Sequence, residues 1–241
     1  MTARADAVAS IVRLDTVDST QRHAAALAAG GAADGTAVVA ETQTQGRGRR
    51  GRVWQDARGA SLLVSVVLRT SLPPARLPML SIAAGVAVAE ALNAVAGLDA
   101  RLKWPNDVLV GGRKIAGVLL ERHGDAVILG IGINVTRDAI PSELAERATS
   151  IADEGGSPDR EALLEKLLLA VGRWRARLER EGFEPVRAQW TAQAGMLGRH
   201  VTVDGVAGIA LGIDTDGALL VQTDTGPTRV LAGDVVERRA G

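Results

Sequence analysis

At 241 residues, with 46% hydrophobic and 23% charged residues, the chain has an ordinary globular balance and enough material for one large unit or a large and a small one. Its formal net charge is zero, which separates it from the basic excess usual in a dedicated nucleic-acid binder. It has no cysteine and three scattered histidines, which excludes disulfides, thiol catalysis and cysteine-ligated zinc.

In chain order, the opening "MTARADAVASIVRLD" lacks the continuous apolar run of a signal peptide. "DSTQRHAAALAAGG" predicts a short helix: Asp18, Ser19 or Thr20 caps its start, and Gly30-Gly31 ends it. "TAVVAE" predicts a strand leading into "QTQGRGRRGRVW", residues 43–54, where four arginines fall within seven residues. "SLLVSVVLR" predicts a second, buried strand, and "LPMLSIAAGVAVAEALNAV" a long apolar helix with Pro78 in its first turn. The stretch "LSIAAGVAVAEAL" inside that helix is short for a bilayer span and contains Glu90, so a soluble, cytoplasmic protein with no membrane partner is expected.

"LDARLKW" predicts another strand, "PND" a turn, and "VLVGGRKIAGVLLERH" a hairpin with Gly111-Gly112 at its tip. "AVILGIGINV" predicts a further strand. "REALLEKLLLAVGRWRARLEREG" predicts an amphipathic helix whose apolar face runs through Leu163, Leu164, Leu167, Leu168, Val171, Trp174 and Leu178. "FEPVRAQWTAQAGMLG" reads as a joint. Beyond it lie four or five short strands with glycine and Asp-Gly turns, which predict a small β-barrel of roughly 45 residues. Hairpins with helices at intervals predict an α+β fold with a mixed, mostly antiparallel sheet. The expected division is a larger unit over residues 1–192 and a small barrel over 193–241.

The arginine stretch has a chemistry of its own. Glycine lets backbone N–H groups approach an anion closely, and the guanidinium fork matches carboxylate or phosphate oxygens. A solvated loop, a nucleic-acid contact and a lid over a small anion all stay open on this stretch alone, and no Walker A spacing occurs. Lysine usage narrows the choice. The chain has 25 arginines but only three lysines, Lys103, Lys114 and Lys166. A lysine kept in such a chain points to a need for a compact ammonium. If the hairpin forms, "KWPND" and "GGRKIAG" bring Lys103, Asn106, Asp107 and Lys114 together, a set suited to a nucleotide phosphate with a divalent cation. Asn134 ends an apolar strand and counts only in combination with these.

"DST", "GRGRRGRVW", "KWPNDVLVGGRKIAGVLLE" and "GIGINV", in this order and spacing, with "GDV" near the end, closely resemble the bacterial biotin–protein ligases over roughly residues 12–237. The resemblance implies a class II synthetase-like, biotin–lipoate ligase-like catalytic domain followed by an SH3-like barrel. It implies activation of biotin by MgATP to biotinyl-5′-AMP and pyrophosphate, then transfer to one lysine of the biotin carboxyl carrier domain of an acetyl-CoA or acyl-CoA carboxylase. Arg47, Arg49, Lys114 and Asp107 are then the catalytic group, with Asp107 as the carboxylate for Mg²⁺ or for orienting lysine. Ser19, Thr20 and Gln43 meet the ureido ring of biotin, with Gln21, Gly48 and the close approach allowed by Gly117 completing its pocket. Arg49, Arg52, Lys103, Asn106 and Asn134 hold ATP, and Trp54 stacks near adenine.

One departure is Gln21, where relatives commonly have Asn after "DST". The catalytic part begins near residue 12, so a monofunctional ligase without a repressor domain is expected, with no DNA partner, acting as a monomer or weak homodimer. Lipoate- or octanoate-transferring enzymes are the nearest rival, and they lack this arginine-glycine loop. A nucleic-acid-binding module is the more distant rival, opposed by neutral charge and 2% aromatic content.

Overall fold

Every residue of the eight-residue strand Ser61–Leu68 is buried, which marks the middle of the molecule. In the computed structural model, which describes residues 10–237, this strand (β3) is third in a seven-stranded sheet. The others are β1 (Ser10–Val17), β2 (Thr36–Gln43), β4 (Arg101–Lys103), β5 (Asp107–Val110), β6 (Arg113–His123) and β7 (Ala126–Asn134), in the order β1-β2-β3-β7-β6-β5-β4. Only β1 and β2 pair in parallel, so the sheet is mixed and mostly antiparallel, as the hairpins predict.

Strand alternation divides the sheet into two faces. On one, the helix α1 (Thr20–Ala29) packs Ala24 and Ala28 against Val38, Val67, Ala126 and Ile128. On the other, Leu129, Ile131 and Ile133 meet three helices, α2 (Pro78–Ala91), α3 (Arg160–Glu181) and α4 (Glu184–Gln193). The apolar face predicted for α3 is buried throughout. Helix α2 continues through a wider π turn at Leu92–Ala96. The helical stretch Pro74–Ala96 is long and apolar enough to cross a membrane by length and composition, contrary to the shorter estimate above. With 72% of its apolar window buried inside the protein, it serves here as a core helix between the sheet and α3.

Two elements lie where the sequence predicts none. Strand β1 is an edge strand with most residues exposed on both faces, so it carries no clear alternation. Helix α4 occupies the expected joint and buries only Val186 and Trp190, a single i, i+4 pair too short to show a period. The first nine residues, read above as lacking a leader, fall outside those described.

The C-terminal strands β8 (His200–Val203), β9 (Val206–Ile213), β10 (Leu219–Thr223), β11 (Gly226–Val230) and β12 (Val235–Glu237) form an antiparallel sheet in the order β11-β10-β9-β8-β12. The expected barrel does not close: among the described residues no ladder joins β11 to β12. The last strand is only three residues long, and Gly233 and Asp234 before it turn toward the arginine loop. The two sheets share one apolar core, in which Val201, Ala210, Leu219 and Val221 belong to the same cluster as α2. Trp104, at the cis Trp104–Pro105 bond, donates its indole N–H to the Gly217 carbonyl at 2.9 Å and so ties the sheets together.

Trp104→Phe keeps an aromatic ring but strands that buried carbonyl, and should cost about 1–3 kcal/mol. Because the core is continuous, urea denaturation followed by circular dichroism should show the loss as an earlier midpoint of one transition, not as a second step.

Candidate functional site

The face of the sheet that carries α1 loses its side chains toward the ends of β6 and β7. After Ala126 and Ile128, the next positions on that face are Gly130, Gly132 and Asn134. Gly132 pairs directly with Gly117 of β6, and Gly117 with Asp107 of β5. The result is a floor of bare backbone. A Cβ on Gly132 would lie 2.6 Å from the Trp54 ring, and one on Gly117 would lie 3.1 Å from both Trp54 and the Lys114 side chain. The Trp54 indole therefore lies flat on the floor that the glycines leave, with Lys114 Nζ 5.6 Å from its ring centre.

Around this floor the predicted polar groups are gathered. Lys114 Nζ is 2.6 Å from Asp107 Oδ1. Asn106 donates to the Val118 carbonyl at 2.6 Å and accepts from Arg49 at 3.1 Å. Lys103 stands opposite Asp107 in the ladder and has no ion pair among the described residues. At the other end, the Thr20 backbone and hydroxyl both donate to Gln43 Oε1, at 2.8 and 3.1 Å, and Ser65 Oγ donates to Thr20. Ser19 starts α1 without capping it, and its fully buried hydroxyl has no partner. Ser61 Oγ and Trp54 Nε1 are likewise buried and unpartnered. Buried polar groups are normally hydrogen-bonded, so these three mark where the polar atoms of a ligand would be received.

Two predicted residues are engaged in holding the scaffold. Gln21 donates to the Ile128 carbonyl at 3.0 Å and accepts from Ser65, stapling α1 to the sheet. Buried Asn134 donates to the Thr149 carbonyl at 3.0 Å. Asp107 is a lone carboxylate: no group of three His, Asp or Glu able to hold a metal occurs among the described residues.

The arginine loop folds as a tight hairpin. Arg47 bridges Val53, Gly48 N–H donates to Arg52, and Arg52 N–H donates to Arg49 across the turn Arg50-Gly51. Gly46 accommodates the Trp54 carbonyl where a Cβ would lie 2.2 Å away. Arg50 takes φ 55°, ψ 36°, a left-handed conformation that costs a non-glycine residue about 1–2 kcal/mol. A cleft of about 610 Å³ separates the loop from Leu119–Glu121.

Carboxylates meet each arginine. Arg47 pairs with Glu121 at 2.8 Å, Arg50 with Asp204 at 2.5 Å, and Arg52 with Asp234 at 2.8 Å. Arg49 lies 3.6 Å from Asp234, and burial pushes its guanidinium below the ordinary value, while Asp234 acts the other way. The hydrogen bond from Arg50 holds the Asp204 carboxyl below its usual range. Four guanidiniums thus meet three carboxylates, which leaves the loop a net cation. Glu121 and Asp234 lie inside the motifs "KWPNDVLVGGRKIAGVLLE" and "GDV", which give neither a role, and Asp204 lies in none of the motifs. Besides Gly117, the alternate glycines of "GIGIN" mark the floor in the sequence, since two strand residues two apart share a face.

Comparison with known proteins accords with this site. The Biotin/lipoate A/B protein ligase family matches residues 14–138, and the Biotin protein ligase C terminal domain matches residues 196–238. The biotin--[acetyl-CoA-carboxylase] ligase of Paracoccus denitrificans is 39% identical over 238 residues, covering 92% of this chain and 98% of that protein. The ligase of the same name from Mycobacterium tuberculosis is 39% identical, covering 92% of this chain and 86% of its own length. The structure of biotin protein ligase from Aquifex aeolicus in complex with biotin and ATP superimposes with a TM-score of 0.87 at 33% identity, over 96% of this chain and all of that one. With its sheet, its glycine floor and its arginine loop, the chain belongs to the biotin protein ligase family.

Proposed function

We propose that the glycine floor and its rim carry out the two steps of a biotin–protein ligase. Biotin and MgATP give biotinyl-5′-AMP and pyrophosphate, and the ε-amine of a carrier lysine then takes the biotinyl group and releases AMP. The observation that carries the assignment of roles is the juxtaposition of a side-chain-free floor, Lys114 at its edge, and a net-cationic loop above it.

The chemistry follows from charge. Step one brings the biotin carboxylate to the α-phosphate, two anions that repel until cations placed in a dry site screen them. Lys114 stands at the junction, its Nζ 2.6 Å from Asp107 Oδ1. Arg49 and Asn106 already touch and face the nucleotide, with Lys103 and Arg52 supplying further positive charge. Arg47 reaches the acyl-phosphate when it exchanges Glu121 for it. Asp107 is the one carboxylate here that would hold a Mg²⁺ brought with ATP, and the ion would screen phosphate charge there. Ser19, Thr20 and Gln43 hydrogen-bond the ureido ring, and Gly48, whose N–H is held by the Arg52 carbonyl, offers only the close approach of a residue without a side chain. Gln21 and Asn134 act through the scaffold they brace. No nucleophilic side chain is needed, because the substrates bring both nucleophiles. The folded loop shields the mixed anhydride from water. Proteins of the family act on biotin carboxyl carrier proteins, and we assign the carrier of an acetyl-CoA or acyl-CoA carboxylase as partner, with a monomer or weak homodimer as the working form.

Incubation with biotin, MgATP and a carrier domain should add one biotinyl group to a single carrier lysine, read by intact mass; exchange of pyrophosphate into ATP driven by lipoate and not by biotin would overturn the assignment. Lys114→Gln should slow biotin-dependent ATP–pyrophosphate exchange by about 10²–10³-fold, the usual effect of removing one preorganised donor. Gly132→Val should raise the biotin Kd about tenfold or more by overfilling the floor, while leaving the circular dichroism spectrum intact. Isothermal titration calorimetry with biotin measures that Kd directly.

A further inference from the structure

Arg50 faces no substrate in this scheme, and two carboxylates of the second sheet, Asp204 and Asp234, stand among the loop's arginines. The contact is made tip to tip between two tight turns. Arg50-Gly51 forms one, Asp204-Gly205 between β8 and β9 forms the other, and all four residues have positive φ. Arg50 and Asp204 are the only non-glycine residues at positive φ among those described, and they are paired with each other. Aspartate suits such a turn. A long side chain such as arginine persists there only where its surroundings hold it. Asp234 takes Arg52 with both carboxylate oxygens at 2.8 Å and lies 3.7 Å from Arg50. Within 3.5 Å Arg49 has only neutral acceptors, Asn106 Oδ1 and the Gly233 carbonyl. Its charge stays available to an anion while its neighbours are engaged.

We propose that Asp204 and Asp234 are positioning residues for adenylation. Through Arg50 and Arg52 they seat the arginine loop over the first sheet, so that Arg49 reaches Asn106 beside the nucleotide and Trp54 lies along the glycine floor. The second sheet is then part of the adenylation site. This rests on the ligase assignment above, and the test separates the two.

The test is a double-mutant cycle of Asp204→Asn and Arg50→Gln, with Asp234→Asn and Asp234→Glu beside it, read by biotin-dependent ATP–pyrophosphate exchange and by amide hydrogen exchange of residues 44–54. Both partners of the Arg50–Asp204 pair are 46% exposed, so folding is not at stake. Each single change should raise the KM for ATP about three- to fivefold with a smaller change in kcat, and the double variant should be no worse than either single. Asp234→Asn should raise it about tenfold, since that carboxylate serves three arginines, and Asp234→Glu should recover part of the loss. The same variants should exchange loop amides faster. Additive effects in the cycle, or unchanged KM and loop exchange, would sink the idea. So would a lower KM for ATP, which would make the carboxylates competitors of phosphate. An unmodified protein without pyrophosphate exchange defeats the ligase assignment instead, and the hydrogen-exchange cycle still decides the seating.

Discussion

A β-sheet can bring its backbone against a flat ligand only where its side chains stop. Here that constraint is met by two glycines on neighbouring strands, Gly117 and Gly132, while Gly130 on the same face admits Gln21. Three neighbouring registers place Gly132 opposite Gly117, Asp107 opposite Gly117 and Ser65 opposite Gly130. A slip of one residue would turn the floor into the core and bury the carboxylate. The opposite face fixes that register, because Leu129, Ile131 and Ile133 must meet the helices. The apolar core thus determines where the bare backbone lies.

Charge is organised around the floor with the same economy of elements. The loop gathers guanidiniums that would repel one another, and the structure counters them with carboxylates from two different sheets: Glu121 from the first, Asp204 and Asp234 from the second. Each exposed pair is weak alone, yet several converging on one carboxylate define a position for the whole hairpin. Arg49, more buried than its neighbours, is the least neutralised of the four.

What the sequence disclosed depends on how local each feature is. The helix α1, the hairpin tip at Gly111-Gly112 and the apolar face of α3 are written in short-range patterns and emerge where expected. The motifs "KWPND", "GGRKIAG" and "GRGRRGR" stand apart in the chain, and the fold brings Lys114 to Asp107 and Arg49 to Asn106. Features that rest on distant pairing stayed hidden. Nothing near Arg50 in the chain points to Asp204, 154 residues away. The edge strand β1 draws its order from the parallel ladder with β2, not from its own composition. The second sheet reads as a barrel because its turns and strand lengths are those of one, whereas its opening depends on where Gly233 and Asp234 are drawn.

The shortage of lysine takes on another meaning beside this chemistry. An acyl-adenylate is an electrophile that any nearby uncharged amine would consume, and the maker of such a compound is its first potential victim. Guanidinium groups stay protonated and do not attack it. The chain carries 25 of them against three ε-amines. Of those three, Lys114 is 2.6 Å from Asp107 and Lys166 sits 3.9 Å from Glu90 on the helical side of the protein, while Lys103 has no ion pair among the described residues and stands beside the site. A chain whose cations are almost all arginine offers an acyl-adenylate few amines of its own.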